Sequence, residues 1–505
     1  MPNSIANYTT ENRGRVLLLF LLFLLAIYEL VTAGFSQFAI VCCLPLVVLF
    51  VYVAFTYRMV TFWALIVINY FLAMKDIHLP VPTSLPDEML QLTLLAVAII
   101  DARQDSRFGR AVNLMMLALL IWFGLCFLQL FNDSCSLGIN FAAWYGGTRL
   151  FAVQLIWILL VFSIYISTPT KLMAYLKLWA LLSLFSAFWT YKQKYFGFTV
   201  AENIWMETRG RTTHILNGGT LIRYFSTFDN AASYGCHAAA AAVAFIIFGI
   251  SNQIKRAKIF FLLVAMAVLW GMFQSGTRTA IFCVAAGLMT YVFLSKSVRI
   301  AVPFTIIFVI LGCLLAFTTI GNGNQQIRRM RSAFNPNDAS ANVRDINKEA
   351  MKKYIRDIPW GIGLGVESKN VPANNKFKKL SSIPPDSEYV YVWVHTGPIG
   401  VTVFACCMAL ILIGGCVVVM FQLKNKTLIG VGAGFCAAFV SINLAGYANQ
   451  VLYGYPNGLT FFGGMAIVYI LPYLEPEWEE YEQKRIAQIE EKKRLKLEKK
   501  LASRV

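Results

Sequence analysis

Three features of this chain predict an all-α protein that crosses a membrane many times. Apolar residues make up 58% of it and charged residues only 14%, against about 45–50% and about 25% in soluble globular domains. The apolar residues gather in long runs, and a spanning helix needs roughly 20 of them at about 1.5 Å each. Lys and Arg concentrate in every second short connection between those runs, which is how inserted helices record their orientation.

The runs fall near 16–35, 37–57, 60–74, 88–100, 112–131, 149–167, 172–191, 231–250, 259–275, 280–295, 299–320, 390–421, 428–447 and 458–473. That is a polytopic transmembrane helical bundle of about 14 spans. The run at 390–421 exceeds one span, and its start reads as a helix lying in the interface. Arg13 and Arg15 precede the first run as in a signal peptide. No small-residue cleavage pattern follows, so the run reads as the first span.

With the amino terminus in the cytoplasm, the inner connections are Arg58, residues 101–110, Lys171, residues 252–258, 296–299 and 422–426, and each holds Lys or Arg. The net charge of +18 then reports orientation rather than nucleic-acid binding. Residues 1–320 hold the first eleven spans, with an outward loop near 192–230. Residues 321–389 form a long outward loop, 390–473 the last three spans, and 474–505 a charged cytoplasmic tail. The tail mixes acids and bases as a solvated surface helix does, and its lysines suit anionic lipid. Within the long loop, Val343, Ile346, Ala350 and Ile355 recur near helical spacing. Asn342 suits the cap of that helix, and Pro359 with Gly361 its end.

Ten of the eleven cysteines lie in apolar runs and Cys135 lies in a loop, which is no disulfide framework. The four histidines, His78, His214, His237 and His395, have no metal-ligand spacing, and there is no Walker A loop. No cofactor or metal is expected.

The groups suited to chemistry sit at the outer edge. Arg223 lies in LIRYFSTFDN just before a span, and Arg278 in QSGTRTA, a turn of a few residues between two spans. An arginine in so tight a membrane-edge turn is costly unless it faces a cavity or a partner, and its planar fork suits phosphate. The plainer reading is interfacial anchoring by snorkelling. In SSIPPDSEYVYVWVHTGPIG, Asp386, Ser387 and Glu388 open a helix. An acid there serves as an N-cap or as a general base. His395 follows by about two and a half turns, within reach of the same site or packed on a helix face. Trp205, Trp360 and Trp393 are candidate sugar contacts, or members of an interfacial aromatic belt.

Four places resemble the bacterial O-antigen ligase and O-antigen polymerase superfamily, which also holds exopolysaccharide polymerases and protein O-oligosaccharyltransferases. They are Arg223-Tyr-Phe-Ser-Thr-Phe ahead of an Ala-rich span, and Ser275-Gly-Thr-Arg278 opening the next outward-edge span. Arg344 with a short helix and Pro359-Trp-Gly-Ile-Gly-Leu-Gly365 is the third. Tyr389 through Gly397-Pro-Ile-Gly400 is the fourth. The resemblance implies a fold like the C-class membrane glycosyltransferases, in the bacterial inner membrane, with both termini cytoplasmic and the long loops periplasmic. It implies transfer of a glycan from undecaprenyl diphosphate to an acceptor glycan, lipid A core or protein, without a nucleotide. Arg223 and Arg278 would bind the diphosphate and stabilise its leaving charge. Asp386-Ser387 falls where the family has His-Asn, so Asp386 would be the general base. Arg344, Glu388, Tyr389 and His395 would hold substrate. The alternative is a flippase or transporter for a lipid-linked sugar, although transporters place their polar groups near the midplane.

Overall fold

The computed structural model describes residues 13–32, 48–77, 83–102, 107–216, 221–295, 318–332, 339–355 and 358–502, with isolated residues between 302 and 317. It divides into two compact units, 1–64 and 65–505. In the first, α1 (Arg13–Thr32) exposes apolar side chains along its length, Leu17, Phe20 and Tyr28 among them. It is followed by α2 (Val48–Thr56) and the start of α3 (Arg58–Phe71).

The second unit is a bundle of α4 (Ser84–Asp101), α5 (Leu114–Leu128), α6 (Phe141–Tyr165), α7 (Pro169–Tyr195), α8 (Val200–Trp205), α9 (Ala231–Ser251), α10 (Lys255–Gln274), α11 (Thr279–Ser295), α12 (Gln325–Arg331), α13 (Ala339–Ile355), α14 (Glu388–Val417), α15 (Lys426–Ala448) and α16 (Gly463–Ala502). Two short strands, Ile215–Leu216 and Leu221–Ile222, pair antiparallel. The all-α polytopic fold is as expected, but the count differs. Among the described residues nine helices are long and apolar enough to span, or ten with the bent pair α2–α3. The expected span at 299–320 lies largely outside the described residues, as does part of that at 37–57. α4 carries Asp87 and Glu88, and α11 has only 17 residues.

α9 lies at the centre of this unit. Residues 238–244 on it are all 1% exposed or less. Small residues let the backbones approach, as in membrane helix packing generally. A Cβ at Gly287 of α11 would lie 2.4 Å from Ser441 Oγ of α15, and one at Gly434 of α15 would lie 2.4 Å from the Phe248 ring of α9.

The long loop builds its own core. Met351 and Ile355 of α13 pack with Cys135, Ile362, Phe377, Leu380 and Val394. α13 starts at Ala339, so Asn342 lies inside it and is not its cap. Its apolar stripe divides: Met351 and Ile355 dock, while Val343 and Ile346 stay 54% and 67% exposed.

α14 begins at Glu388, capped by Ser387, and is broken at Gly397, whose φ is 71°. Pro398 has no N–H to return to the Val394 carbonyl, and the break removes the next bond as well. The loop supplies both missing donors: Ile362 N–H bonds Val394 O and Gly363 N–H bonds His395 O, each at 3.0 Å. This strap, Pro359–Gly365, lies backbone against backbone on the break. A Cβ at Gly397 would meet Pro359 O at 2.0 Å, and one at Gly361 would meet His395 C at 2.5 Å. Asn132 Nδ2–H and Gln129 Nε2–H of the α5 end hold Trp360 O at 2.9 and 3.1 Å. Gly365 closes on α6.

The charged tail continues α16 without interruption to Ala502. It is packed further than expected for a solvated tail. Glu475 accepts the Lys424 and Asn425 N–H groups, and Glu482 accepts Thr427 Oγ1–H at 2.8 Å, satisfying donors at the start of α15.

The strap contact predicts a contrast between neighbours on α6. A Cβ at Gly147 would lie 2.5 Å from Gly365 N, whereas one at Gly146 meets nothing within 4 Å. Gly147→Ala should cost about 1–3 kcal/mol, and Gly146→Ala should stabilise by up to about 1 kcal/mol. Melting of the two variants in detergent micelles reads the difference.

Candidate functional site

At one end of the second unit, Arg223, the α10–α11 turn, α12 and the α15–α16 connection come together. Arg223 follows the second strand. Its own N–H bonds His214 O at 2.9 Å. Its guanidinium donates to Ser275 O at 3.2 Å, Thr213 O at 3.0 Å and Thr277 Oγ1 at 3.1 Å. All three acceptors are uncharged, so the fork is aimed without being neutralised.

The α10–α11 turn is built for that contact. Gly276 has φ of 58°, a conformation glycine adopts at little cost. Thr277 Oγ1–H in turn holds Ala231 O at 2.7 Å, tying the turn to the start of α9. Arg329 of α12 donates Nε–H to Gly276 O at 2.6 Å. Arg278 donates to Ser332 Oγ at 3.2 Å. Arginines from three separate segments thus converge on one turn. Burial, and then the positive charges of Arg329, Arg278 and Arg344, push the Arg223 guanidinium below its ordinary value. An anion bound here would relieve that repulsion.

Arg329 was not among the residues expected from sequence. Its signal was the density of Arg328, Arg329 and Arg331 within the seven residues of α12. Read locally, that run is an ordinary basic interfacial turn.

Asp386 lies in a neighbouring cleft of about 420 Å³, lined by Arg344, Asn347, Asp386, Tyr389, Trp393 and Tyr447 among others. Asn347 Nδ2–H bonds Asp386 Oδ2 at 3.2 Å. Arg344 belongs to both neighbourhoods: it lines the cleft and its charge reaches Arg223. Asn449, next to the cleft-lining Ala448, bonds Thr279 Oγ1 at 3.3 Å, beside Arg278. At Tyr389 and Tyr447 the cleft meets an apolar groove of about 390 Å³, whose walls include Met408 and Leu412 of α14 and Phe439 and Leu444 of α15.

Two expected substrate contacts stand elsewhere. Glu388, between the cleft-lining Ser387 and Tyr389, is buried and accepts Leu452 N–H at 3.2 Å. His395 is buried against the strap, its Nδ1 2.9 Å from Tyr391 O and its ring 4.1 Å from that of Tyr391. Of the three tryptophans, Trp393 lines the cleft and Trp205 a different cavity, while Trp360 is 45% exposed on the strap.

His214 supports Arg223 from beneath. Burial, and then the Arg223 charge, push His214 down to about 4. The neutral ring accepts Ala231 N–H on Nε2 at 3.0 Å and donates Nδ1–H to Thr213 Oγ1 at 2.8 Å. Its folded value lies below the ordinary 6.5, so the unfolded chain binds the proton first. Stability is therefore full above about pH 6.5, falls as pH drops towards 4, and levels off below that. The loss should be about 3 kcal/mol. The hydrogen-exchange protection factor of the Ala231 amide should fall over that interval, and His214→Gln should remove the dependence.

Residues 263–405 match the family model Wzy_C, O-Antigen ligase. A search of curated proteins gave no match. The matched stretch holds Arg278, Arg329, Arg344, the strap and Asp386 through His395, while Arg223 precedes it. Helices of membrane-spanning length make the chain a multi-pass membrane protein, and the match over residues 263–405, with the four motifs, makes that stretch similar to the O-antigen ligase family.

Proposed function

We propose that this protein is a periplasmic-face glycosyltransferase that transfers or polymerises a glycan from undecaprenyl diphosphate onto an acceptor hydroxyl. It would sit in the bacterial inner membrane, with both termini and the charged tail in the cytoplasm and the long loops in the periplasm. The acceptor is another glycan, lipid A core or protein.

One observation carries the reading. The cleft at Asp386, lined by Arg344, Lys348 and Asp386 among others, continues at Tyr389 and Tyr447 into an apolar groove between α14 and α15, and further arginines stand beside it. That sequence of surfaces fits a lipid-linked diphosphate. The tail takes the groove, the diphosphate meets the arginines, and the reacting carbon faces the cleft.

In the reaction the acceptor oxygen bonds to the anomeric carbon as that carbon's bond to the diphosphate oxygen breaks. Asp386 takes the hydroxyl proton, and the electron pair leaves with the diphosphate. Arg223 and Arg278 stabilise the charge that develops there, the kind of preorganised electrostatic contact that lowers a transition state most. Arg344 bridges cleft and arginines, and Tyr389 guides the lipid past the cleft mouth. The activated bond arrives on the lipid, so no nucleotide is needed at the site. The clustering of these groups at one end of the bundle favours transfer over transport.

Purified protein in proteoliposomes, given a lipid-linked oligosaccharide and acceptor, tests this. Arg278→Ala and Arg223→Ala should each lower kcat by about 10²–10³, with normal insertion. Full activity in the double variant would refute the diphosphate assignment. Asp386→Asn should lower kcat by about 10²–10⁴ with donor KM little changed. An unchanged kcat would remove Asp386 as the base.

A further inference from the structure

The same end of the bundle holds a second and larger cavity, of about 670 Å³. It is divided from the Asp386 cleft by the α15–α16 connection. Tyr447 and Ala448 face the cleft, whereas Gln450, Gly454 and Tyr455 face the larger cavity. Asn449 between them is pinned to Thr279, and Leu452 N–H is pinned to Glu388.

Across the cavity stand Lys75, Trp205, Asp229 and Asn230. Lys75 Nζ donates to Asp229 Oδ1 at 2.8 Å and lies 4.4 Å from the centre of the Trp205 ring. The other side of Trp205 meets His214, ring centres 4.9 Å apart. His214 and Thr213 are the residues whose carbonyls hold Arg223. The cavity therefore shares one wall with the arginine cluster and another with the Asp386 cleft.

Its chemistry limits the occupant. A lipid tail would leave the Lys75–Asp229 pair desolvated without a compensating bond. A second diphosphate would face the Asp229 carboxylate and find Lys75 already paired with it, which leaves Arg209 as the cation in the lining to receive it. A polyhydroxylated ring suits it: Asp229, Asn230 and Gln450 offer acceptors and donors, while Trp205 and Ile204 offer apolar faces. The volume lies within the range of about 300–1,000 Å³ typical of ligand sites.

We propose that this cavity is a glycan-binding subsite, holding sugar rings next to the diphosphate site from across the Trp205–His214 wall. The inference rests on the transfer reading for whose glycan it takes, donor or acceptor, but not for binding itself.

Gly454 gives a clean test, because a Cβ there meets nothing within 4 Å. Gly454→Phe should fill the cavity without a backbone clash, and Gly454→Ala is the control. In the proteoliposome assay, Gly454→Phe should raise one KM by at least about tenfold. A rise in donor KM assigns the donor's glycan, and a rise in acceptor KM assigns the acceptor's. Both constants unchanged would overturn the proposal.

Calorimetry decides independently of turnover. The probe is the oligosaccharide repeat released by mild acid from the host's surface polysaccharide, titrated into the full chain. Wild type and Gly454→Ala should bind it, and Gly454→Phe should bind at least about tenfold more weakly. Asp229→Ala, at an exposed side chain, should weaken it too, and serves if the phenylalanine variant does not fold. Binding without turnover in the wild type would sink the transfer reading and keep the subsite. Equal binding by wild type, Gly454→Phe and Asp229→Ala would sink the subsite.

Discussion

The contact on which this end of the molecule depends is the seating of the glycine strap on the break in α14. Two carbonyls there, of Val394 and His395, lose their helical donors because residue 397 leaves the helix and residue 398 is proline. Buried carbonyls left unpaired cost about 1–3 kcal/mol each, so a break at this depth needs an outside partner. The strap supplies Ile362 and Gly363 N–H, and glycine is required where it lies because backbone occupies the space of a side chain at 361, 365 and 397. The strap also carries Ile362 into the core that receives α13. One interaction thus sets both walls of the cleft: α13 with Arg344 and Asn347, and the first turns of α14 with Tyr389 and Trp393.

The arginine cluster works in the opposite sense, since it destabilises as built. Arg223 and Arg329 are drawn onto the turn that carries Arg278 by its backbone and hydroxyl oxygens, and the three acceptors of the Arg223 guanidinium carry no charge. Like charges held this close repel, and burial adds a desolvation cost. The rest of the fold must sustain that expense, and the closely packed α9, α11 and α15 behind the turn are rigid enough to do so. Such a concentration is useful at a site that receives an anion, which is why it supports a diphosphate reading more strongly than any single arginine does.

Sequence periodicity made the helices legible, because a span must be apolar over most of its length whatever packs beside it. The run at 390–421 read as too long for one span, but nothing in it located the break at Gly397 or the residues near 362 that seat on it. The site was legible in kind and less so in membership. Asp386 and Glu388 are two residues apart at the same helix start, and nothing local says which faces the cleft. That is decided by Leu452 N–H, more than sixty residues away, which turns Glu388 inward. His395 is likewise turned by distant chain: its carbonyl is claimed by the strap, and its ring packs on Tyr391 one turn before it. Arg329 stayed hidden because its acceptor, Gly276 O, comes from another turn of the chain.

The start of α14 also joins the strap to the partition between the two cavities. Ser387 Oγ–H bonds Gly446 O at 3.1 Å and Glu388 accepts from Leu452. The N-cap of α14 and its first residue therefore hold both ends of the segment that separates the cleft from the larger chamber. Neither end can shift without disturbing its bond, and all four residues are buried. A substrate that seats against Tyr389 or Tyr447 pushes on this frame from one side, and a ligand against Gln450 or Gly454 pushes from the other. The two cavities are thus coupled by construction through a wall that both of them line, and Asp386 stands at the root of that wall, one residue before its first anchor.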